Sequence, residues 1–281
     1  MDQLKELPIP LLLWYRENAR VLPWRSHPTP YRVWVSEIML QQTRVAAVLD
    51  YYRRFLEALP TVADLAAVPE DALMKLWQGL GYYSRARNLQ RAARQIMEEH
   101  GGIFPSTYEE IRALSGVGDY TAGAISSIAF GLPVPAVDGN VYRVASRFYG
   151  IREDVGRPVV QRRIRDLVAA DIPADRPGDY NQALMELGAT LCRPGEPDCD
   201  DCPWRGLCDA AREGDASLLP VHEKKRPPRR VDVAVCLLTW KRRVLVTRRD
   251  ERMLGGLYVF CLLEDETRPE RAEALLREAG L

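Results

Sequence analysis

Four cysteines crowded into one short stretch are the strongest constraint on how this chain can fold. They lie in LCRPGEPDCDDCPWRGLC at positions 192, 199, 202 and 208, as Cys192, Cys199, Cys202 and Cys208. Thiols this close either pair as disulfides or hold a metal, and a cytoplasmic setting argues for metal. Structural zinc usually takes two CxxC pairs, whereas this loop has one pair with a single cysteine on each side. The spacing therefore favours a 4Fe–4S cluster over zinc.

The two other cysteines differ from these four in their surroundings. Cys236 and Cys261 each lie in an apolar run with β-like composition. A free cysteine in such a run commonly packs as a small apolar side chain. We expect both to be core residues of a second domain.

The composition excludes several classes of protein. The chain has 281 residues, of which 47% are hydrophobic and 28% charged, with a formal net charge of zero. It can bury a core, but any nucleic-acid binding must depend on local patches rather than on net charge. The first residues lack a signal-peptide pattern, and no apolar run approaches the roughly 20 residues that cross a bilayer. We expect a soluble cytoplasmic protein with no membrane association.

The chain divides into two regions of different character. Apolar and charged residues alternate at helical spacing through residues 1–215, for example over 84–99, which predicts a mainly α domain. Residues 216–230 include KKRPPRR, which cannot pack into a core and indicates a basic linker. Residues 231–281 contain VDVAVCLLTW and VLVTRR, which predict strands and a hairpin in a partial α/β domain.

A pair of glycines separates two predicted helices in LSGVGDYTAGAI. Ser106 and Glu109 form a capping box for a helix over 107–114, and a second helix is predicted from about residue 119. Gly116 and Gly118 between them allow a tight turn that leaves amide groups free at a helix N-terminus. Such a turn can bind a DNA phosphate without recognising sequence, or it can be an ordinary corner between two helices.

Two carboxylates stand out for their predicted surroundings. Glu37 shares a helix face with Val33 and Leu40, so burial should raise its pKa. The alternative is a structural glutamate bonded to Arg44 or to a neighbouring helix. Asp138 precedes a helix that begins near residue 139, where a cap position should keep it ionised. One acid and one anion are the pair that cleaves glycosidic bonds, although a simple helix cap is the more common role for an aspartate at such a position.

Together these motifs resemble the adenine DNA glycosylases of the MutY type, within the helix–hairpin–helix DNA glycosylase superfamily. The matching segments run in order through residues 20–210: LPWR (22–25), TPYRVWVSEIMLQQTRV (29–45), GLGYYSRARNL (79–89), LSGVGDYTAGAI (114–125), VDGNVYRV (137–144), NQALMELGA (181–189) and the four-cysteine loop. The resemblance implies a two-part helical fold with a DNA-binding cleft between the parts and a 4Fe–4S cluster in loop 192–208. It also implies removal of adenine mispaired with 8-oxoguanine or guanine, by a monomer that acts on double-stranded DNA at the nucleoid.

The resemblance also implies roles for catalytic residues. Glu37 would protonate the flipped-out adenine at N7, and Asp138 would stabilise or trap the oxocarbenium-like sugar. Tyr120 and Asn140 would support Asp138 and the sugar. Because adenine leaves poorly as an anion, a general acid on the ring is chemically required.

Further residues would bind the substrate and the duplex. The adenine pocket would be lined by Trp24, Arg25, Leu40 and Glu186. The duplex around the opposing base would be wedged by Gln42, Leu80 and Tyr82, and Gly116 and Gly118 would hold its backbone. Leu80 and Tyr82 could instead be core residues beside Trp77.

The last fifty residues resemble the MutT-like (Nudix-like) domain that recognises the 8-oxoguanine strand in this family. GGLYVF and LLREAGL carry that resemblance. A pyrophosphohydrolase of this fold needs four motif glutamates, and only Glu278 is matched here. This argues against nucleotide hydrolysis by the domain.

Two other functions compete with adenine removal. An endonuclease III-like glycosylase and lyase would act on oxidised pyrimidines with a lysine at the site of Tyr120. No lysine occurs between Lys75 and Lys224, which argues against it. A non-catalytic iron–sulfur DNA-binding protein is the third hypothesis, and the presence of both Glu37 and Asp138 argues against that one.

Overall fold

The structure is a computed structural model, and it describes residues 7–223, 230–249, 256–264, 268–278 and 280. The chain forms two compact units, Met1–Glu223 and Lys224–Leu281. None of the described helices has both the length and the apolar run needed to span a bilayer.

The first unit is helical, as the spacing of apolar residues predicts. Its helices are α1 Pro8–Asn18, α2 Pro23–Ser26, α3 Pro30–Leu40, α4 Val45–Ala58, α5 Val62–Ala67, α6 Glu70–Trp77, α7 Ser84–Glu99, α8 Tyr108–Ala113, α9 Asp119–Phe130, α10 Gly139–Phe148, α11 Pro158–Ala170, α12 Pro177–Thr190 and α13 Asp209–Glu213. A 3-10 turn, Ala216–Leu218, follows them.

Two hydrophobic cores lie within this unit. The first draws on α2 to α9 and is built around fully buried Trp34 and Trp77. The second draws on α10 to α12 and on α1, with Trp204 from the cysteine loop packed against Phe148 at 4.4 Å between ring centroids. The N-terminal helix α1 thus packs with the C-terminal half of the unit. The predicted two-part helical arrangement is confirmed.

Local capping signals fix the ends of the helices near the predicted hairpin. The Thr107 hydroxyl accepts the Glu110 amide at 3.3 Å, so α8 is capped one residue later than the predicted Ser106. Gly118 precedes α9 and Asp138 caps α10, both where the sequence places them. The Asp138 side chain accepts the amide of Val141 at 2.8 Å.

The end of the first unit lies later than the sequence predicts. Ala216 and Leu219 are buried and form a small cluster with Ala210, against Cys199 and Cys208. Residues 216–223, assigned above to the linker, therefore belong to the helical unit. Residues 224–229, with most of the basic run, lie outside the described residues.

In its described residues, the second unit contains short antiparallel strand pairs and one helix. Its elements are β1 Val233–Cys236, β2 Thr239–Trp240, β3 Arg243–Val244, β4 Thr247–Arg248, β5 Tyr258–Val259, β6 Cys261–Glu264 and α14 Pro269–Glu278. β1 pairs with β6, β2 with β3 and β4 with β5. The predicted hairpin is β2–β3, while the strand predicted in GGLYVF is reduced to β5, and its first glycine lies outside the described residues. Cys236 and Cys261 are half-buried and lie directly opposite each other across β1 and β6.

Candidate active site

A cleft of about 550 Å³ lies between the two cores of the helical unit. Its walls come from α2 and the residues before it, from α3 and the residues after it, from α9, from the start of α10 and from α12. It is lined by predicted site residues: Glu37, Tyr120, Asp138, Asn140, Trp24, Arg25, Leu40, Glu186 and Gln42. The structure therefore brings together in one place residues that are spread over 160 positions of the sequence.

Glu37 is a buried acid on α3, with 5% of its surface exposed. Burial raises its pKa from 4.5 to about 7, although the hydrogen bond from Tyr120 lowers it and nearby Asp138 raises it further. The direction of this shift agrees with the expectation that Glu37 is protonated more readily than a glutamate in water. Its partner is the Tyr120 hydroxyl, which donates to Oε2 at 2.6 Å. The bond therefore comes from the neighbouring helix α9, and Arg44 takes no part in it.

Tyr120 does not make the contact that the resemblance implies. It was expected to support Asp138, but its hydroxyl bonds to Glu37 and lies 3.6 Å from the sulfur of Met185. Burial and the two nearby carboxylates raise the pKa of Tyr120 well above its usual value. The phenol therefore stays protonated and acts as a donor to the acid.

Asp138 is the N-cap of α10, as predicted, and its half-buried carboxyl lines the cleft. Burial raises the pKa of its carboxyl, and the bonds from Val141 and Asn140 and the charge of Arg143 oppose that rise without reversing it. The cap bonds and the charge of Arg143 favour the ionised form that was predicted for Asp138, while burial in the cleft opposes them. The two carboxyls still differ, since only Asp138 accepts several hydrogen bonds.

A chain of hydrogen bonds runs from Asp138 towards the cysteine loop. The Asn140 amide donates to Asp138 Oδ2 at 3.0 Å, and Arg143 Nη2 donates to Asn140 Oδ1 at 2.9 Å. Arg143 Nε donates to the carbonyl of Cys192 at 2.8 Å. Gly188 allows the close approach of α12 behind this chain, because an added Cβ would lie 2.7 Å from that of Asn140.

The opposite wall of the cleft holds a buried carboxylate between two arginines. Glu186 Oε1 accepts from Arg20 Nε at 2.5 Å, and its Oε2 accepts from Arg25 Nη2 at 2.8 Å. Burial raises the pKa of Glu186, but the bonds from Arg20 and Arg25 outweigh it and leave the pKa below its usual value. The surroundings of Glu186 thus favour its ionised form, whereas those of Glu37 favour the protonated form. Arg20 is absent from the predicted site, since nothing local in the sequence pairs it with a residue on α12.

The glycine turn between α8 and α9 has an exposed face. Gly116 has a φ of 77°, and a Cβ there would lie 2.7 Å from that of Asn88, so only glycine fits without movement. Gly118 is exposed, and a Cβ there would meet no atom within 4 Å. No side chain caps the start of α9, so its first amides remain available to an anion.

The three predicted wedge residues are in different surroundings. Tyr82 is 58% exposed, and Gln42 is exposed at the edge of the cleft. Leu80 is only 7% exposed and packs in the first core with Trp77. Leu80 is therefore a core residue, which was the alternative to its wedge role, whereas Tyr82 is not.

The four cysteines of the loop surround a small cavity of about 30 Å³ that lies beside the second core. All four are free thiols, and burial is the main cause that raises the pKa of Cys202 to about 12. Arg147 secures the loop, since it donates to Cys192 Sγ at 3.3 Å and to the carbonyl of Arg193 at 2.8 Å. Within the described residues, no three metal-binding side chains converge on a point that could hold a single ion.

The chain is similar to known DNA repair proteins. Residues 35–170 match the family described as HhH-GPD superfamily base excision DNA repair protein. The adenine DNA glycosylase of Rattus norvegicus is 48% identical over 222 residues, which are 75% of this chain and 43% of the rat protein. That of Arabidopsis thaliana is 36% identical over an alignment covering 99% of this chain and 51% of its own. The chain thus spans about half the length of these relatives.

Solved structures with the same fold were also found. A thermostable thymine-DNA glycosylase has a TM-score of 0.68 and 27% identity, over 75% of this chain and 98% of its own. A trapped covalent intermediate of endonuclease III with DNA has a TM-score of 0.64 and 25% identity, over 76% and 97%.

Proposed function

The chain belongs to the HhH-GPD superfamily of base excision DNA repair proteins, and from this premise we propose that it removes adenine mispaired with 8-oxoguanine or guanine. The reaction would be hydrolysis of the N-glycosidic bond of an adenine flipped out of the duplex. The observation that carries the proposal is the buried Glu37, protonated near neutral pH, in the same cleft as Asp138. Names of the curated relatives support adenine as the base.

The first requirement of the reaction is a proton for the leaving base. Adenine would depart as an anion, so transfer of a proton to N7 lowers the barrier to bond cleavage. Glu37 can supply it because its pKa of about 7 leaves a large protonated fraction at neutral pH. The Tyr120 hydroxyl, 2.6 Å from Oε2, would then stabilise the carboxylate that remains.

The second requirement is stabilisation of the positive sugar. Asp138 would face the developing oxocarbenium ion, as the second carboxylate does in glycoside hydrolysis. Its carboxyl is oriented by the amide of Val141 and by the side chain of Asn140. Water would then attack the sugar carbon from which adenine has left.

The third requirement is a pocket for the extruded base. A base must leave the stack before a side chain can reach it. The cleft of about 550 Å³ falls within the usual range for small-molecule sites. Trp24 and Leu40 would supply its apolar surface, while Arg25 and Glu186 would supply polar contacts to the ring.

Contacts to the duplex would come from the exposed segments near the cleft. The amides beside Gly116 and Gly118 would bind a backbone phosphate, which gives affinity but no sequence preference. Gln42 and Tyr82 would enter the duplex around the opposing base. Leu80 would act from its buried position as a support for that segment.

Strand cleavage through a covalent amine is the alternative chemistry, and the likeness to endonuclease III gives it a specific basis. A lyase needs a lysine nucleophile near the sugar. No lysine lines the described cleft. Tyr120, in the first turn of α9, stands where a lyase of this superfamily would carry its lysine nucleophile. We therefore propose a monofunctional glycosylase.

The cysteine loop would hold a 4Fe–4S cluster. Four thiolates are the ligand set of such a cube, with one thiolate for each iron, so they need not converge on one point. A single zinc ion would need all four sulfurs within about 2.3 Å of it. The cluster would supply a structural anchor for the loop, beside the carbonyl of Cys192 that Arg143 holds.

The second unit would be a partial MutT-like domain that contributes to the recognition of 8-oxoguanine. Its short antiparallel strands and α14 are compatible with part of such a fold. The relative from Arabidopsis thaliana, which aligns with 99% of the chain, supports a shared second region. We propose no hydrolytic activity for it.

A base-release assay over several opposing bases tests the proposal. Duplexes carrying adenine opposite 8-oxoguanine, guanine, cytosine or thymine would be incubated with the protein, and free adenine would be quantified by chromatography. We expect release opposite 8-oxoguanine and guanine, with strand scission only after added alkali. A further duplex carrying an oxidised pyrimidine is tested in parallel, and release of that base with spontaneous strand scission would instead establish the lyase alternative.

A further inference from the structure

Arg85, in the first turn of α7, is a buried arginine whose guanidinium binds only main-chain carbonyls and one hydroxyl. The residue is 9% exposed. Nη1 donates to the carbonyls of Ile38 (2.9 Å), Met39 (3.0 Å) and Gln41 (2.6 Å), and Nη2 donates to the carbonyls of Leu80 and Gly81 (both 3.2 Å) and to Thr43 Oγ1 (3.3 Å). In the described part of the chain, no carboxylate pairs with it. Burying a charge without an opposite charge beside it costs free energy. The presence of Arg85 at this place therefore needs an explanation other than an ion pair.

All six acceptors belong to two segments, and each segment carries an exposed residue in a strained conformation. Residues 38–43 end helix α3 and include Gln42, with a φ of 55°. Residues 80–82 include Tyr82, with a φ of 47°. Non-glycine residues with positive φ persist only where their surroundings impose it. Lys241 in the second unit is the only other example within the described ranges.

Additional contacts show that Arg85 is the common support of both segments. Its guanidinium carbon lies 5.5 Å from the ring centroids of Trp77 and of Tyr82. Trp77 Nε1 donates to the carbonyl of Gly81 at 3.1 Å, which fixes the second segment from the same side. One guanidinium thus braces two loops that are about forty residues apart in sequence.

We propose that Arg85 is a positioning residue that holds Gln42 and Tyr82 at a fixed separation, as one rigid device for separating the two mispaired bases. This inference rests on the proposed function, because the device acts on duplex DNA. It assigns a role to Arg85 itself, which touches no reacting atom. The planar guanidinium is essential in this role, since a lysine ammonium carries the same charge but cannot span acceptors on two loops.

The variants Arg85→Lys and Arg85→Met test the role, with Arg94→Lys as the matched control. Arg94 lies on the same helix, is exposed, and makes one comparable bond to the carbonyl of Ala66 at 3.1 Å. The probe is a duplex with 2′-fluoro-2′-deoxyadenosine opposite 8-oxoguanine and 2-aminopurine as the adjacent base. The fluorine blocks bond cleavage by destabilising the positive sugar, and 2-aminopurine fluorescence rises when the stack opens. An undamaged duplex is titrated in parallel.

We expect both Arg85 variants to lose about a hundredfold in the ratio of affinities for mispaired and undamaged duplex, the effect of roughly ångström-scale misplacement. The fluorescence rise at saturation should largely disappear. Affinity for the undamaged duplex, which depends on phosphate contacts, should stay within about twofold, and Arg94→Lys should match the wild type. Wild-type fluorescence and discrimination in Arg85→Lys would overturn the proposal.

Two further readouts separate positioning from a general loss of structure. In the background Gln42→Ala with Tyr82→Ala, Arg85→Lys should add less than about twofold, because its targets are gone. The pH at which adenine release falls should be the same as in the wild type, since Arg85 does not contact Glu37. Additive losses or a shifted pH profile would refute positioning through the two loops. A wild type that opens the stack but releases no adenine would refute the proposed function alone.

Discussion

Replacement of Glu37 by glutamine is predicted to stabilise the protein above pH 7, in addition to abolishing activity. In the unfolded chain the carboxyl ionises near pH 4.5, whereas burial holds its pKa at about 7 in the folded protein. Well below pH 4.5 the carboxyl is protonated in both states, so its shifted pKa does not change the free energy of unfolding. As the pH rises towards 7, only the unfolded state gains the favourable ionisation, so the stability of the folded state falls. Glutamine carries no charge and avoids this loss.

The magnitude follows from the shift in pKa. A rise from 4.5 to about 7, at about 1.4 kcal/mol per unit, gives about 3 kcal/mol at pH 8. At pH 5 the same calculation gives only about 1 kcal/mol, because this pH lies only slightly above the value of 4.5 at which the unfolded carboxyl ionises. For a unit of this size, the gain at pH 8 corresponds to a rise in Tm of about 6–12 °C. The Tyr120 hydroxyl can still donate to the amide oxygen of glutamine, so packing should be preserved.

Thermal unfolding of the full chain at pH 5 and pH 8 checks this prediction. Wild type, Glu37→Gln and the control Glu98→Gln would be compared by circular dichroism, with Glu98 chosen because it is an exposed glutamate of α7. The difference in Tm between Glu37→Gln and wild type should grow with pH, and the control should show no such growth. An equal difference at both pH values would refute the claim that burial keeps the carboxyl protonated.

Three other changes have specific expected outcomes. Tyr120→Phe removes the hydrogen bond that lowers the pKa of Glu37, so the alkaline fall in the rate of adenine release should move to higher pH. Single-turnover rates measured as a function of pH check this, and an unchanged profile would contradict the assigned bond. Gly116→Ala should weaken binding to undamaged duplex and lower the Tm, because the position combines a positive φ with no room for a Cβ atom. Binding is measured by fluorescence anisotropy, and an affinity of the variant equal to that of the wild type would argue against a phosphate site at this turn. Purified protein should be brown with about four irons per chain, and Cys199→Ser should lose most of the visible absorption; a colourless wild type holding one zinc would contradict the cluster.

Local signals in the sequence were enough to predict the positions of several elements. Gly118 and Asp138 influence only the backbone within about three residues, so their effect can be predicted from the local sequence. Helices α9 and α10 begin directly after these two residues. The start of α8 was placed one residue early, because Ser106 and Thr107 are both good caps and a glutamate follows each at the required distance. Tertiary packing, which the sequence does not show, selects between them.

The partners of the site residues could not be predicted, because they come from distant helices. The bond between Tyr120 and Glu37 joins positions 83 residues apart, and the family resemblance had assigned that tyrosine to Asp138. Burial in the cleft raises the pKa of Asp138 against the effect of the helix N-terminus, and that burial comes from packing which the local sequence does not show. Arg85 was not identified at all, since an arginine in an amphipathic helix ordinarily points to solvent.

Release of adenine by wild type and by Glu37→Gln is the most direct test of the central claim, that this cleft cleaves the bond to adenine with Glu37 as the acid. Both proteins would be incubated in excess with a duplex holding adenine opposite 8-oxoguanine, and free adenine would be measured over time, with Glu98→Gln as a control. The account predicts release by wild type and Glu98→Gln, and none by Glu37→Gln, although that variant still binds the duplex. No adenine from the wild type, or equal release by Glu37→Gln, would contradict the account.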